Sequence, residues 1–199
     1  MNDERLLQAA QNLVPERVEI LVEERSMYEF LLRFLPRILP SGYAIEQNCF
    51  IRPHQGKSDL QKSIPKKIRG FQNHPLPVKF IILHDQDSND CRKLKQELRA
   101  LCGNTPALIR IACRELESWY LGDMAALEEI YPRFKSEHYR QRKAFRTPDE
   151  CFAAHDLKRL IPTFQKISAA RALGECIEIA NNTSPSFRAF VEGLQTFLV

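Results

Sequence analysis

Residues 78–87 read VKFIILHDQD, an apolar and largely β-branched run that ends in an Asp-x-Asp turn. Such a run is typical of a central strand that is buried on both faces of a sheet. Two shorter runs of similar character, VEILV at 18–22 and ALIRIA at 107–112, also predict strands, and residues 43–51 predict another of moderate quality. Four strands are therefore expected, the third of them in the middle of the sheet.

Helical patterns separate these strands. Residues 27–35 carry apolar side chains three and four positions apart, and Ser26 with Glu29 predicts a capping box at the start of that helix. Residues 58–71 predict a basic helix, and residues 89–102 an amphipathic one. Alternation of strands and helices predicts an α/β fold, an open and mostly parallel sheet of about four strands with helices on both faces.

The pattern changes to helices alone after about residue 112, and it changes again beyond about residue 131. Residues 131–146 hold six basic side chains and one acidic one, and an amphipathic helix closes the chain. We predict an α/β core over residues 1–125 and a helical C-terminal extension over 126–199 that packs on that core. A short helix is also predicted within residues 1–17.

Composition excludes several classes of protein. The 199 residues are 44% hydrophobic and 27% charged, and no apolar run approaches the length of a membrane span. The polar N-terminus lacks a signal-peptide core, so a cytoplasmic protein without a membrane partner is expected. Six cysteines without a CxxC pair argue for free thiols rather than a disulfide framework or a zinc site. A net charge of +4 permits a nucleic-acid partner without requiring one.

Acidic side chains follow three of the predicted strands, at the edge where open α/β sheets bind ligands. They are Glu23 and Glu24, Asp85 and Asp87, and Glu115 and Glu117. Carboxylates that converge repel one another, and a hard divalent cation such as Mg²⁺ offsets that repulsion. The alternative for each pair alone is ordinary: Asp87 could cap the next helix, and Glu23 and Glu24 could be solvated turn residues. His84 could likewise be a ligand or a hydrogen-bonded core residue.

Basic side chains suggest where a phosphate backbone could bind. Those singled out are Lys57, Lys66, Lys67, Arg140, Arg142, Lys143, Lys166 and Arg171. Phe134, Tyr139 and Phe145 lie among the basic residues and could stack on bases. Charge runs are also commonly solvated faces, and Lys166 and Arg171 could form salt bridges on a helix surface instead.

Two motifs carry a resemblance to a known fold. ILVEERS at 20–26 and ILHDQD at 82–87 resemble the two acidic motifs of the Toprim domain of topoisomerases, primases and overcoming-lysogenization-defect nucleases. Over nearly the whole chain the sequence more closely resembles a small Toprim-like bacterial family, domain-of-unknown-function family 4276. The segments that carry this likeness are GKSDL at 56–60, RELESWYLGD at 114–123, QKISAAR at 165–171 and SPSFR at 184–188.

The resemblance implies metal-dependent phosphodiester chemistry. It implies Glu23, Asp85, Asp87 and Glu115 as catalytic residues that ligate Mg²⁺ or Mn²⁺, with Glu117 as a further ligand. The expected function is a Toprim-type nuclease or related phosphoryl-transfer enzyme, with a partner ATPase in bacterial defence by analogy. One departure concerns Glu24, because Toprim proteins commonly have Gly there. The motif places the ligand at Glu23, which is therefore preferred over Glu24.

Two other functions fit the same residues. One is a non-catalytic module that binds nucleic acid or protein and keeps a vestigial metal site. The other is a regulatory domain whose acidic pocket is purely structural.

Overall fold

The computed structural model describes residues 14–199, so most of the predicted N-terminal helix lies outside the described residues. Four parallel strands form one sheet in the spatial order β2-β1-β3-β4. The strands are β1 (Arg17–Val22), β2 (Cys49–Pro53), β3 (Val78–Asp85) and β4 (Ala107–Ala112). The predicted open, parallel sheet is confirmed, and its longest strand, β3, is an inner one.

The second strand differs from its prediction over 43–51, because it begins only at Cys49. The side chain of Asn48 accepts a hydrogen bond from Ala44 N (2.9 Å) and donates one to Gly42 O (2.8 Å). Such local side-chain bonds offer the backbone an alternative to the strand ladder. Residues 43–48 therefore form a turn that leads into β2.

Three helices connect the strands, and six more follow the last strand. The connecting helices are α1 (Arg25–Phe34), α2 (Lys57–Gly70) and α3 (Cys91–Cys102). The later ones are α4 (Leu116–Gly122), α5 (Met124–Ile130), α6 (Ser136–Arg140), α7 (Ala153–Leu160), α8 (Lys166–Cys176) and α9 (Pro185–Phe197). No helix among those described combines the length and apolar character needed to span a membrane.

The predicted capping box at the start of α1 is wrong. The N-cap is Glu24, and Ser26 lies inside the helix, where its hydroxyl donates to Glu24 Oε1. Glu29 is 2% exposed and binds three arginines, of which Arg171 donates to it from α8. The arginines satisfy the Glu29 carboxylate, so it does not reach back to the cap.

Helices cover both faces of the sheet, as predicted. On one face, α2 and α3 bury Leu60, Leu94 and Leu98 in a core that includes residues of β1, β3 and β4. On the other, α1, α4, α8 and α9 enclose a larger core around Phe30 and Trp119.

The C-terminal helices pack on the core, and α9 is hydrogen-bonded to α4. Helix α8 packs along α1, and α9 packs on β4. The indole Nε1 of Trp119 donates to Ser186 Oγ (2.9 Å) at the start of α9. Trp119 therefore fixes the short helix that also carries Glu117. The proposed domain boundary at residue 125 remains a prediction.

Candidate active site

The carboxyl ends of β1 and β3 meet at one edge of the sheet, because Val22 is in register with Leu83. This register brings the first residue after β1 beside the last residue of β3. Glu23 Oε2 accepts a hydrogen bond from Asp85 N (3.1 Å). The predicted convergence of these two acidic residues is therefore observed, and Asp85 is the more buried of the two, with 5% of its surface exposed.

The carboxylate of Asp85 faces the start of α4. Its Oδ1 accepts a hydrogen bond from Leu116 N (2.9 Å), where α4 begins. Burial, the charge of Glu117 and the charge of Glu23 raise the pKa of Asp85 well above its ordinary value. Asp85 is thus a carboxylate that a nearby cation would help to ionise.

Glu117 is the most unusual residue at this edge. Its side chain is fully buried, and within residues 14–199 neither carboxyl oxygen has a hydrogen-bond partner. Burial raises its pKa to about 7, although the charge of Lys166 opposes that rise. Buried polar atoms are nearly always paired, so an unpartnered carboxylate calls for an explanation such as a bound ion.

Lys166 supplies the positive charge nearest to the buried carboxylates. Its Nζ lies 2.5 Å from Glu24 Oε1 and 3.5 Å from Glu117 Oε1. Burial alone would lower the pKa of Lys166, but the charge of Glu117 and the hydrogen bond to Glu24 raise it overall. Lys166 therefore stays charged, and Glu24, the departure from the Toprim pattern, serves as its ion-pair partner.

His84 fixes Glu23 from within the core. The ring is fully buried, and its Nδ1 lies 2.9 Å from Glu23 Oε2 and 2.5 Å from Asp85 O. Burial lowers the pKa of His84, but the hydrogen bond and charge of Glu23 outweigh burial and raise it. The pKa of Glu23 is correspondingly lowered, against the effect of its own burial. His84 and Glu23 therefore form a pair in which the carboxylate is ionised.

Asp87 lies at the rim of this edge and is 43% exposed. The helix cap beside it is Asp90, which accepts from Lys93 N, so Asp87 does not cap α3. Its carboxylate is 3.4 Å from Lys57 Nζ at the start of α2. Gly56 precedes that helix with φ 98°, a conformation that residues with a side chain rarely adopt. The glycine therefore sets the turn that presents Lys57 to Asp87.

Glu115 is directed to another helix. Its Oε1 accepts a hydrogen bond from Ala154 N (2.8 Å) in the first turn of α7. A role for Glu115 in a second metal position remains a prediction.

The acidic side chains at this edge are oxygen donors of the kind that a hard divalent cation binds. Within residues 14–199, no three His, Cys, Asp or Glu side chains are placed so that one ion could contact all of them. Asp85 and the unpartnered Glu117 nevertheless supply buried, hard oxygen donors. The charge of Glu117 raises the pKa of Asp85, so the two carboxyl groups interact. Mg²⁺ commonly binds one or two carboxylates and completes its shell with water and substrate phosphate. The full set of five predicted ligands is not brought together.

The predicted nucleic-acid residues are scattered. Lys57 and Lys166 lie at the acidic edge, by which we mean the sheet edge that carries the acidic residues Glu23, Asp85, Asp87 and Glu117. Lys66 and Lys67 lie on α2, roughly 14 Å from Lys57 along the helix axis. Arg171 binds Glu29 (2.9 Å), which is the salt-bridge alternative for that residue.

The basic segment after residue 131 lies beyond the far end of α4. Arg140 lines a cavity of about 420 Å³ together with Arg146 and Phe145. Arg142 covers the ring of Tyr139, 4.7 Å from its centroid, and Lys143 starts a short 3-10 turn.

The aromatic residues of that segment do not serve as a stacking surface. Phe134 and Phe145 are buried, and the ring of Tyr139 stacks on Phe134 with centroids 4.8 Å apart. The three rings pack on one another and form a small hydrophobic cluster for this segment. Sequence reasoning missed a different aromatic residue, Phe152, which is 66% exposed beneath Arg114. No periodicity or spacing distinguishes it in the sequence.

Comparison with known proteins adds a family and a fold. The model of the family described as "Domain of unknown function (DUF4276)" matches residues 22–195. The C-terminal region of the Xanthomonas campestris pv. campestris OLD protein, phased with iodine, is similar in structure. Its TM-score is 0.51 at 15% identity, over 92% of this chain and 96% of that one. A structure of the same region phased with platinum gives a TM-score of 0.49 at 16% identity, over 92% of each chain.

No curated protein matches the chain. The family match covers well over half of the sequence, and the first structural likeness shows a shared fold. The chain therefore belongs to domain-of-unknown-function family 4276, and it has the predicted α/β fold, which it shares with the C-terminal region of the OLD protein.

Proposed function

We propose that this protein is a divalent-metal-dependent nuclease, or a related phosphoryl-transfer enzyme, that acts on nucleic acid at the acidic edge of the sheet. The observation that carries the proposal is the fully buried Glu117, whose two carboxyl oxygens have no hydrogen-bond partner within residues 14–199. Its neighbour Asp85 is also buried, and the charge of Glu117 raises the Asp85 pKa. Two such carboxylates form a stable arrangement when a cation lies between them.

On this proposal Asp85 and Glu117 hold Mg²⁺ or Mn²⁺. When bound, such an ion polarises phosphoryl oxygens and lowers the pKa of water. Asp87 and Glu115 are the candidates for a second position, and in the structure they bind Lys57 and Ala154 N.

The remaining side chains at the edge have distinct tasks. Lys166 holds its charge beside Glu117 and is placed to neutralise charge that develops on a phosphoryl group. Glu23, ionised and held by His84, is placed to accept a proton. Lys57, at the start of α2, is 58% exposed and can contact a backbone phosphate. A partner ATPase and a role in bacterial defence, implied by the family resemblance, belong to the same proposal.

A metal titration followed by thermal melting tests the site. We expect Mg²⁺ or Mn²⁺ to raise the melting temperature of the wild type, since a ligand at 100 times its Kd stabilises by about 2.7 kcal/mol. Asp85→Asn and Glu117→Gln should abolish that rise. Glu97→Gln, an exposed acidic position on α3, is the matched control and should keep it.

Cleavage assays on labelled single-stranded and duplex DNA and RNA test the chemistry. Turnover should require the metal and should fall at least about 100-fold in Asp85→Asn without loss of nucleic-acid binding. No response to either metal and no cleavage of any substrate would contradict the proposal.

A non-catalytic binding module is the second candidate. It is favoured by the absence, within residues 14–199, of a ready three-ligand cluster and by Lys166, which already offsets part of the acidic charge. Nucleic-acid binding that survives every acidic substitution, with no turnover in any metal, would support it.

A further inference from the structure

Phe152 is an aromatic side chain that the fold leaves in solvent. It is 66% exposed, and it is the one exposed side chain among the Phe, Tyr and Trp residues of 14–199. Burying a phenylalanine side chain contributes about 1.5–3 kcal/mol to stability. Phe152 contributes only a small part of this, because most of its side chain is exposed. Single exposed apolar residues are common, so exposure alone assigns no role.

The position of Phe152 relative to the acidic edge is more informative. Phe152 is the N-cap residue of α7, and two residues later Ala154 N donates to Glu115 Oε1 (2.8 Å). Glu115 directly follows Arg114, whose carbonyl oxygen accepts a hydrogen bond from Asp87 N (2.8 Å). Backbone hydrogen bonds thus tie the segment around Phe152 to the loops that carry the acidic residues.

Arg114 packs over the aromatic ring of Phe152. Its guanidinium carbon lies over the ring of Phe152, 4.3 Å from the centroid. Within the described chain Arg114 forms no ion pair with a carboxylate, so its charge is available beside the ring. A planar cation over an aromatic face holds the ring in one orientation at little cost in entropy.

We propose that Arg114 and Phe152 form a stacking platform for an unpaired base, so that the substrate at this edge is single-stranded nucleic acid or a duplex with a displaced base. This inference deepens the proposed function by naming its substrate class. Aromatic and guanidinium planes are the groups on which unpaired bases stack, whereas bases within a duplex already stack on one another. Arg114 also supplies charge for the adjoining phosphate.

A protein partner fits the same features less well. A specific protein interface buries at least about 1,000 Å² and has an apolar centre. The other exposed large apolar residues of residues 14–199 are Leu76 before β3, Ile167 in α8 and Val199 after α9, so none shares an element with another. The contact area offered by one aromatic ring under an arginine matches a single base and is too small for a protein interface.

Tryptophan fluorescence provides a direct test in EDTA, without turnover. The chain has one tryptophan, Trp119, which is fully buried, so an indole introduced by Phe152→Trp reports on the platform. We expect single-stranded oligonucleotides to quench this fluorescence and blunt duplexes of the same length to leave it unchanged. Leu76→Trp is the control, because Leu76 is 42% exposed just before β3, at the opposite edge of the sheet.

Binding affinities give the second readout. In EDTA, Phe152→Ala should weaken single-strand binding about tenfold, the usual worth of one stacked base, and Phe152→Tyr should restore it. Duplex affinity and the slope of affinity against salt should not change, because no phosphate contact is removed. The platform would be overturned if duplex also quenched the fluorescence, or if the wild type bound no single strand. It would also be overturned if Phe152→Ala lowered the affinities for single strand and duplex equally, or lowered neither. If the platform holds but no metal supports cleavage, only the nuclease proposal fails.

Discussion

Lys166 Nζ lies 3.5 Å from Oε1 of Glu117 without forming a hydrogen bond to it. The shorter contact of the ammonium group, 2.5 Å, is to Glu24. One lysine therefore provides charge to a buried carboxylate that it does not fully satisfy. This geometry leaves Glu117 available to a second cation, and it makes the energetics of the acidic edge measurable by substitution.

Lys166→Met should destabilise the protein by about 2 kcal/mol, between the typical values for breaking an exposed and a buried ion pair. The substitution leaves Glu24 and Glu117 without their common cation. Urea unfolding of Lys166→Met, Glu117→Gln and the double variant gives the coupling energy. The double variant should be more stable than the sum of the single effects implies. Strict additivity would show that the two charges do not interact.

Glu117→Gln should raise the melting temperature in EDTA at pH 7.5, because it removes a buried charge whose burial is unfavourable. A gain of about 1 kcal/mol corresponds to roughly 2–4 °C for a domain of this size. Differential scanning fluorimetry is sufficient to measure it, with Glu97→Gln as the exposed control. A lower melting temperature would mean that Glu117 is already stabilised by partners within the protein.

Glu29 should contribute to resistance against acid. The hydrogen bond from Arg171 lowers the pKa of Glu29 to about 2 against its burial, with help from Arg25. A carboxylate with a lowered pKa gives stability that is complete above about pH 4.5 and is lost as the pH falls from there to about 2. Glu29→Gln should therefore have a lower urea midpoint than the wild type at pH 7. The difference should shrink between pH 4.5 and 2, whereas a constant difference across this range would contradict the role of ionisation.

Gly56→Ala should destabilise the protein by about 1–3 kcal/mol, because φ at this position is 98°. Gly70→Ala is a matched control: neither glycine has an atom within 4 Å of an added Cβ, but Gly70 is the last residue of α2 and has an ordinary φ. We expect Gly70→Ala to be neutral or slightly stabilising. Equal effects of the two substitutions on the urea midpoint would show that the turn before α2 relaxes without cost.

The sequence was sufficient to predict the parallel sheet and its order of elements. Strand β4 was predicted with its observed ends, and β3 extends only two residues beyond its prediction. Apolar runs define buried strands well because both faces require the same kind of side chain. The start of β2 was missed, because the hydrogen bonds of Asn48 compete with the ladder and leave no trace in hydrophobicity.

The candidate site was predicted in part. The parallel pairing of β1 and β3 places Glu23 and Asp85 at one edge of the sheet, independently of how their side chains pack. The hydrogen bond between them follows from the register of the two strands. The separate partners of Asp87 and Glu115 depend on where α2 and α7 begin, which is decided by packing. The position of Phe152 under Arg114 is likewise a contact between residues 38 positions apart.

By itself the sequence determined the fold class, the family and the edge at which acidic residues gather, because these depend on local patterns and on the geometry common to all parallel sheets. Only the tertiary structure decided that Glu117 is buried without a partner and that Lys166 binds Glu24. Charge alone cannot predict such pairings, because the energy of a buried ion depends on which distant groups approach it and how much water they exclude.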